Sequence, residues 1–198
     1  MHISSLFGDY GIGSFSKGAK VFIDFLEKCG FSYWQVLPFC MADDCNSPYQ
    51  SSSAFSVNPY FIDLETLHEN GLITNEELSF QRQLTPYSCE YARLYHTRFD
   101  VLKKASARVT NRDEINSFIN SHSDMKGFCE FMGRKATNDN KPWYEWKNDY
   151  SDRETVAMWE FICFEFFREW NDIHSYASSK GIKIIGDIPI YVALDSAD

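Results

Sequence analysis

The side chains that could do chemistry are unevenly spread along the chain. The five histidines, His2, His68, His96, His122 and His174, are scattered and share no metal-ligand spacing. Of the six cysteines, Cys29, Cys40, Cys45, Cys89, Cys129 and Cys163, none forms a C-x-x-C pair. Cys40 and Cys45 are the close two, and they lack a nearby histidine and the tighter pairing of a zinc knuckle. A disulfide framework belongs to small secreted domains, so free and mostly buried thiols are expected. Gly8, Gly11 and Gly13 lack both the G-x-G-x-x-G order and the lysine of a phosphate-binding loop. No metal and no cofactor is expected. Aromatic residues make up 17% of the chain, enough for a large core or for a surface that stacks on sugar rings; composition leaves both open. The conspicuous polar stretch is Ser47-Pro48-Tyr49-Gln50-Ser51-Ser52-Ser53, inside an irregular segment spanning 39–60. A loop of that length in a compact unit is uncommon unless it is functional.

The elements that must hold this loop follow from periodicity. Residues 2–6 read as the end of a short strand. Ser16 is a plausible N-cap, apolar residues from Ala19 to Cys29 recur at helical spacing, and Gly30 suits the residue after the cap, giving a helix over 17–29. Tyr33 to Leu37 is a short buried strand closed by Pro38. Strand, helix and strand with short connections make a βαβ unit with parallel strands. The 39–60 loop then falls at the carboxyl end of a strand, where open α/β sheets and barrels place ligands. Residues 64–180 read as helices, with capping boxes at Thr74/Glu77 and Ser151/Glu154. The last helix, about 152–180, carries a broad stripe of Val156, Trp159, Ile162, Cys163, Phe166, Phe167, Trp170 and Ile173. Gly181 ends it, and Ile182–Gly186 is a buried strand running into Asp187 and on to Val192. About three parallel strands are expected, with a long helical crossover before the third. Three strands cannot close a sheet that needs cover on both faces, so the chain reads as the first part of something larger.

Charge and hydropathy exclude several classes. With 19 Lys and Arg against 28 Asp and Glu, the net charge is −9, which disfavours nucleic acid and anionic lipid as partners. No apolar run approaches the roughly 20 residues of a membrane helix, and the first residues lack a signal-peptide pattern. A cytoplasmic setting is expected.

Four ordered blocks are more specific. They are Ile3-Ser4-Ser5-Leu6 with Tyr10-Gly11-Ile12-Gly13; Trp34-Gln35-Val36-Leu37-Pro38; Ser47-Pro48-Tyr49-Gln50-Ser51 with Ser53-Ala54-Phe55, Asn58-Pro59-Tyr60 and Ile62-Asp63-Leu64; and Gly186-Asp187-Ile188-Pro189-Ile190-Tyr191-Val192-Ala193 with Asp195-Ser196-Ala197. Together they resemble the 4-α-glucanotransferases of glycoside hydrolase family 77, the amylomaltases or disproportionating enzymes.

The resemblance implies an α/β fold, the N-terminal part of a (β/α)8 TIM barrel with a helical insertion between the second and third strands. Residues 1–63 would hold the first barrel strands and the sugar-site loop, 64–150 the helical insertion, and 151–198 the long helix and third barrel strand. It implies transfer of α-1,4-glucan segments between maltodextrin acceptors by a retaining double displacement, which requires two carboxyl groups about 5–5.5 Å apart. The motifs carrying those carboxylates lie on later strands of the family, so the chain is expected to lack them and to have no catalytic residue of its own. Tyr49 looks like the aromatic that stacks on the sugar beside the scissile bond, the alternative being a loop tyrosine pinned for packing. Ser47 is similar to a residue near that sugar's hydroxyls. Asp187 matches an acidic position that supports the catalytic centre, or is a structural aspartate. Asp195 and Asp198 would cap or order the following loop. Where the family often has Gly-Asp before Ser-Pro-Tyr, this chain has Cys45-Asn46, and Ala42-Asp43-Asp44 replace a common upstream aromatic, which puts a secondary glucan site in doubt. The expected partners are maltooligosaccharides and α-1,4-glucans; the alternative function is a non-catalytic α-glucan-binding module or an inactive remnant.

Overall fold

The computed structural model describes residues 1–41, 46–85, 87–191 and 193–198. Its element order is α1 (Lys17–Lys28), β1 (Tyr33–Gln35), α2 (Leu64–Glu69), α3 (Asn75–Phe80), α4 (Tyr91–Ala107), α5 (Asp113–Ser121), α6 (Ser123–Thr137), α7 (Arg153–Ser179) and β2 (Lys183–Ile185), with 3-10 turns at Ile3–Ser5, Pro59–Phe61 and Trp143–Glu145. The fold is α-rich around a small parallel sheet. β1 and β2 pair in parallel, with Tyr33 opposite Lys183, Trp34 opposite Ile184 and Gln35 opposite Ile185.

Local chemistry explains the element ends. The Ser16 side chain accepts from the Gly18 N–H at the start of α1. α1 and α7 both finish in Schellman geometry: the Gly30 N–H donates to Glu27 and that of Phe31 to Leu26, while Gly181 donates to Ser178 and Ile182 to Ala177. Gly30 and Gly181 have φ of 76° and 72°, the left-handed region that suits glycine. The Thr74/Glu77 capping box forms in both directions, at 3.2 and 2.9 Å. At the head of α7 the expected Ser151 box does not form. Asp152 is the N-cap, accepting from the Thr155 N–H at 2.9 Å, while the Ser151 hydroxyl turns to the Glu130 carboxylate at 2.7 Å.

Two of the three expected strands form a ladder among the described residues. The first, at 2–6, is instead a 3-10 turn at Ile3–Ser5. Side-chain bonds replace its ladder: the Leu37 N–H donates to His2 Nδ1 at 3.1 Å, and Trp34 Nε1 donates to the Met1 carbonyl at 2.6 Å. That acceptor role needs a neutral imidazole, and burial lowers the His2 pKa to about 4. The last strand is also short. Beyond Ile185, Asp187 Oδ1 takes the Ile188 N–H at 2.9 Å, Pro189 has no donor to offer, and Ile188, Ile190 and Tyr191 are exposed. Val192 lies outside the described residues.

α7 is the spine of the core. α1, α4, α5, α6 and β2 all pack on it, and Val156, Trp159, Phe161, Ile162, Cys163, Phe166 and Ile173 are buried. Cys40, Cys129 and Cys163 are buried free thiols, Cys89 is half-buried and Cys29 exposed; Cys45 lies outside the described residues. The two faces of the sheet differ sharply. Trp34, Val36 and Ile184 join the core, whereas Tyr33, Leu37 and Ile185 are exposed on the other face.

One buried group on α7 has a measurable pH consequence. Glu169 Oε2 accepts from the Asp63 N–H at 2.9 Å, and its buried Oε1 has no partner among the described residues. Asp63 and Glu165 crowd it, and Arg168 is ion-paired to Glu165. Burial raises its pKa well above the ordinary 4.5, so the folded chain keeps the proton to higher pH than the unfolded chain does. The stabilisation is fully present below 4.5 and is lost as pH rises through the raised folded value. Glu169→Gln keeps a neutral acceptor without the titration. Its stability advantage over wild type should grow by up to about 1.4 kcal/mol per pH unit across that window. Urea denaturation at pH 5 and pH 8 checks this; an unchanged difference would mean Glu169 is solvated or paired when ionised.

Candidate functional site

The 46–58 loop is wired by its serines. Ser51 and Ser56 hydroxyls meet at 2.6 Å, the Ser56 hydroxyl donates to the Ser53 carbonyl at 2.7 Å and accepts from the Met41 N–H at 3.2 Å. The Ser53 hydroxyl accepts from the Phe55 N–H at 3.0 Å, and the Asn58 N–H returns to the Phe39 carbonyl at 2.8 Å. Ser51, Ser53 and Ser56 are buried. A hydroxyl that both donates and accepts can replace the ladder such an irregular segment lacks, which is the physical reason for so many serines here. Asn46 enters the loop with φ of 60°, a conformation asparagine tolerates better than most residues.

This framework presents Tyr49. Its N–H donates to the Ser47 hydroxyl at 3.3 Å, the residue is 44% exposed, and its hydroxyl donates to Asp187 Oδ2 at 2.8 Å. All three residues singled out from the sequence therefore meet at the carboxyl ends of β1 and β2. The hydrogen bond to Asp187 and the neighbouring negative charge raise the Tyr49 pKa, so the phenol stays neutral and its donor is committed. A cavity of 330 Å³ adjoins Asp187, lined also by Val36, Leu37, Phe39, Trp170 and His174. A flat half-exposed ring beside a carboxylate offers an apolar platform with a polar edge, the combination a polyhydroxylated ring requires. Among the described residues no group of three His, Cys, Asp or Glu could hold a metal ion.

Two partners of this region were not legible in the sequence. Asp198 reaches back to the 46–58 loop, accepting from the Ser53 hydroxyl at 2.8 Å and the Ala54 N–H at 2.6 Å. Asp195 turns to the helical segment, accepting from the Trp143 N–H at 2.9 Å and pairing with Lys135. No local pattern announces either contact. Ala42, Asp43, Asp44 and Cys45, where the secondary-site reading falls, lie outside the described residues.

An α/β chain with an aromatic hydroxyl bonded to a carboxylate at the carboxyl ends of parallel strands has the layout of proteins that bind ligands at that face. Comparison with known proteins makes the assignment specific. Residues 1–198 match the glycoside hydrolase family 77 profile, described as 4-alpha-glucanotransferase, and the chain belongs to that family. A 4-alpha-glucanotransferase of Clostridium butyricum is 41% identical over 218 residues, covering 100% of this chain and 44% of the relative. One from Streptococcus pneumoniae is 37% identical, covering 100% of this chain and 43% of the relative. The chain thus spans less than half the length of these relatives. Among solved structures, an amylomaltase from Streptococcus agalactiae in complex with acarbose matches with a TM-score of 0.90 at 33% identity, over 100% of this chain and 44% of that one. Corynebacterium glutamicum amylomaltase shares the fold at a TM-score of 0.80 and 16% identity, over 30% of its length. No described helix is long and apolar enough to cross a membrane.

Proposed function

We propose that this chain is the N-terminal portion of a cytoplasmic 4-α-glucanotransferase that moves α-1,4-glucan segments between maltodextrin acceptors with retention. The observation that carries the reading is the Tyr49–Asp187 bond at the strand ends in a chain of this family. Residues 1–63 supply the first barrel strands and the sugar-site loop, 64–150 a helical insertion, and 151–198 the long helix and the next barrel strand. The bare sheet face of Tyr33, Leu37 and Ile185 supports a (β/α)8 barrel, because a parallel sheet is stable only with both faces covered. Tyr49 stacks on a glucose ring, Ser47 lies near its hydroxyls, and Asp187 orients the Tyr49 hydroxyl. The net charge of −9 favours neutral glucans over nucleic acid.

The retaining pair, a nucleophile and an acid/base about 5–5.5 Å apart, belongs to the part of the family's length beyond this chain. Without it neither the covalent intermediate nor protonation of the leaving oxygen is available. Purified 198-residue chain incubated with maltotriose should therefore release no glucose and build no longer maltodextrins. A polypeptide extended to the relatives' full length should do both. Disproportionation by the short chain that survives repurification would place the catalytic carboxylates within it. An extended polypeptide that binds maltotriose without transfer would favour the non-catalytic glucan-binding reading.

A further inference from the structure

We propose that Asp198 is a positioning residue for the glucan site, clasping the Tyr49 loop to the segment that carries Asp187. The inference rests on the functional reading above and adds a residue to it. Among the described residues, loop 46–58 is joined to 187–191 and 193–198 at two places. One is the solvent-facing bond from Tyr49 to Asp187 at 2.8 Å. The other is a three-bond clasp: Ser53 Oγ to Asp198 Oδ1 at 2.8 Å, the Ala54 N–H to Asp198 Oδ2 at 2.6 Å, and the Ala197 N–H to the Ser52 carbonyl at 2.8 Å.

The clasp is well placed to set the ring. Asp198 uses both carboxylate oxygens, as charge-assisted acceptors from a hydroxyl and a backbone amide. Its partner Ser53 is buried, and it is tied through Ser56 to Ser51, two residues from Tyr49. A displacement of Asp198 is therefore passed along short hydrogen bonds to the stem of the Tyr49 turn. A single exposed bond to Asp187 competes with water and cannot fix a loop of this length alone. Ser196, between the two clasping residues and Asp195, is itself buried, so the clasping segment is seated rather than trailing. Asp195 anchors its other side through Trp143 and Lys135, which gives the clasp a fixed base on the helical segment.

The test uses the enzyme at the relatives' full length, with 3-fluorotyrosine at position 49 as the probe. Asp198→Ala should move the fluorine resonance in the absence of sugar, in the direction that Asp187→Asn moves it. It should also raise KM for maltotriose about 5- to 10-fold with a smaller change in kcat, the signature of lost ground-state positioning. Asp198→Asn should restore most of both, because its amide accepts from the Ala54 N–H and donates to the Ser53 hydroxyl. Ser53→Ala removes one bond of the clasp and should give an intermediate shift, which decides the matter if Asp198→Ala does not fold. An unmoved resonance together with an unchanged KM in Asp198→Ala would overturn the proposal. If the unsubstituted enzyme shows no transfer, the functional reading fails, and the fluorine shift alone still decides the clasp.

Discussion

Arg98→Met lowers the stability of the fold by about 3–5 kcal/mol, the sum expected for stranding three buried acceptors. Arg98 is 1% exposed in the middle of α4. Its guanidinium donates to the Tyr10 carbonyl at 2.8 Å, the Tyr60 carbonyl at 3.2 Å and Gln81 Oε1 at 3.4 Å. One planar fork thus joins the glycine-rich loop, the Pro59–Phe61 turn and the end of α3. Burial lowers its pKa to about 10, so it remains a cation at neutral pH, held by oxygens without an ion pair of its own among the described residues. Tyr10, Tyr60 and Gln81 are all buried, and water cannot easily replace the lost donors. Methionine fills much of the volume, so the loss reports the hydrogen bonds more than a cavity. For a domain of this size the melting temperature should fall by about 6–20 °C. Arg98→Lys should recover only part, because an ammonium cannot span three divergent acceptors. A loss below about 1 kcal/mol by calorimetry would mean that the acceptors find other partners.

Arg98 also shows what a sequence conceals. Leu94, Arg98, Val101, Leu102 and Ala105 share the buried side of α4, at spacings that periodicity recognises. A cation in such a stripe is ordinarily read as a break in it, since isolated charges are rarely buried. Its acceptors are backbone carbonyls far away in the chain, and backbone leaves no mark in residue types. Elements whose determinants are local were legible for the opposite reason. Ser16 and Gly30 bound α1, Thr74 and Glu77 box α3, and the apolar stripe of α7 is written in neighbouring residues. The strand expectations at 2–6 and beyond Ile185 went further than the structure does, because a strand is defined by a partner that its own residues do not encode. Ser151 and Asp152 are both competent caps, and the contest is settled by Glu130, which captures the serine from α6. In the site, Tyr49 and Asp187 were each conspicuous through family resemblance. Their direct bond spans 138 positions and becomes visible only once β1 and β2 pair.

That bond separates the two readings of Tyr49. In the full-length enzyme, Tyr49→Ala should lower kcat/KM by the equivalent of about 2–4 kcal/mol, taking the loss of a positioned contact as the guide. Tyr49 is 44% exposed, so removing its ring strands little apolar surface, and a stability loss under about 1 kcal/mol is expected, as for other surface changes. Tyr49→Phe keeps the platform and gives up only the hydroxyl bond to Asp187. Its activity should stay within about tenfold of wild type, the scale of one hydrogen bond. Asp187→Ala then provides the reciprocal control, since it leaves the Tyr49 hydroxyl no acceptor at that position. If Asp187 serves the site through the Tyr49 hydroxyl, combining it with Tyr49→Phe should cost little more than either change alone, because both remove the same interaction. A tyrosine held only for packing predicts the reverse order. Tyr49→Ala would lower the melting temperature, both variants would keep near wild-type turnover of maltotriose, and the changes at 49 and 187 would be independent. The half-exposed ring, the committed hydroxyl and the serine-wired loop beneath it favour the first pattern, and steady-state kinetics with calorimetry on the same four variants distinguishes the two.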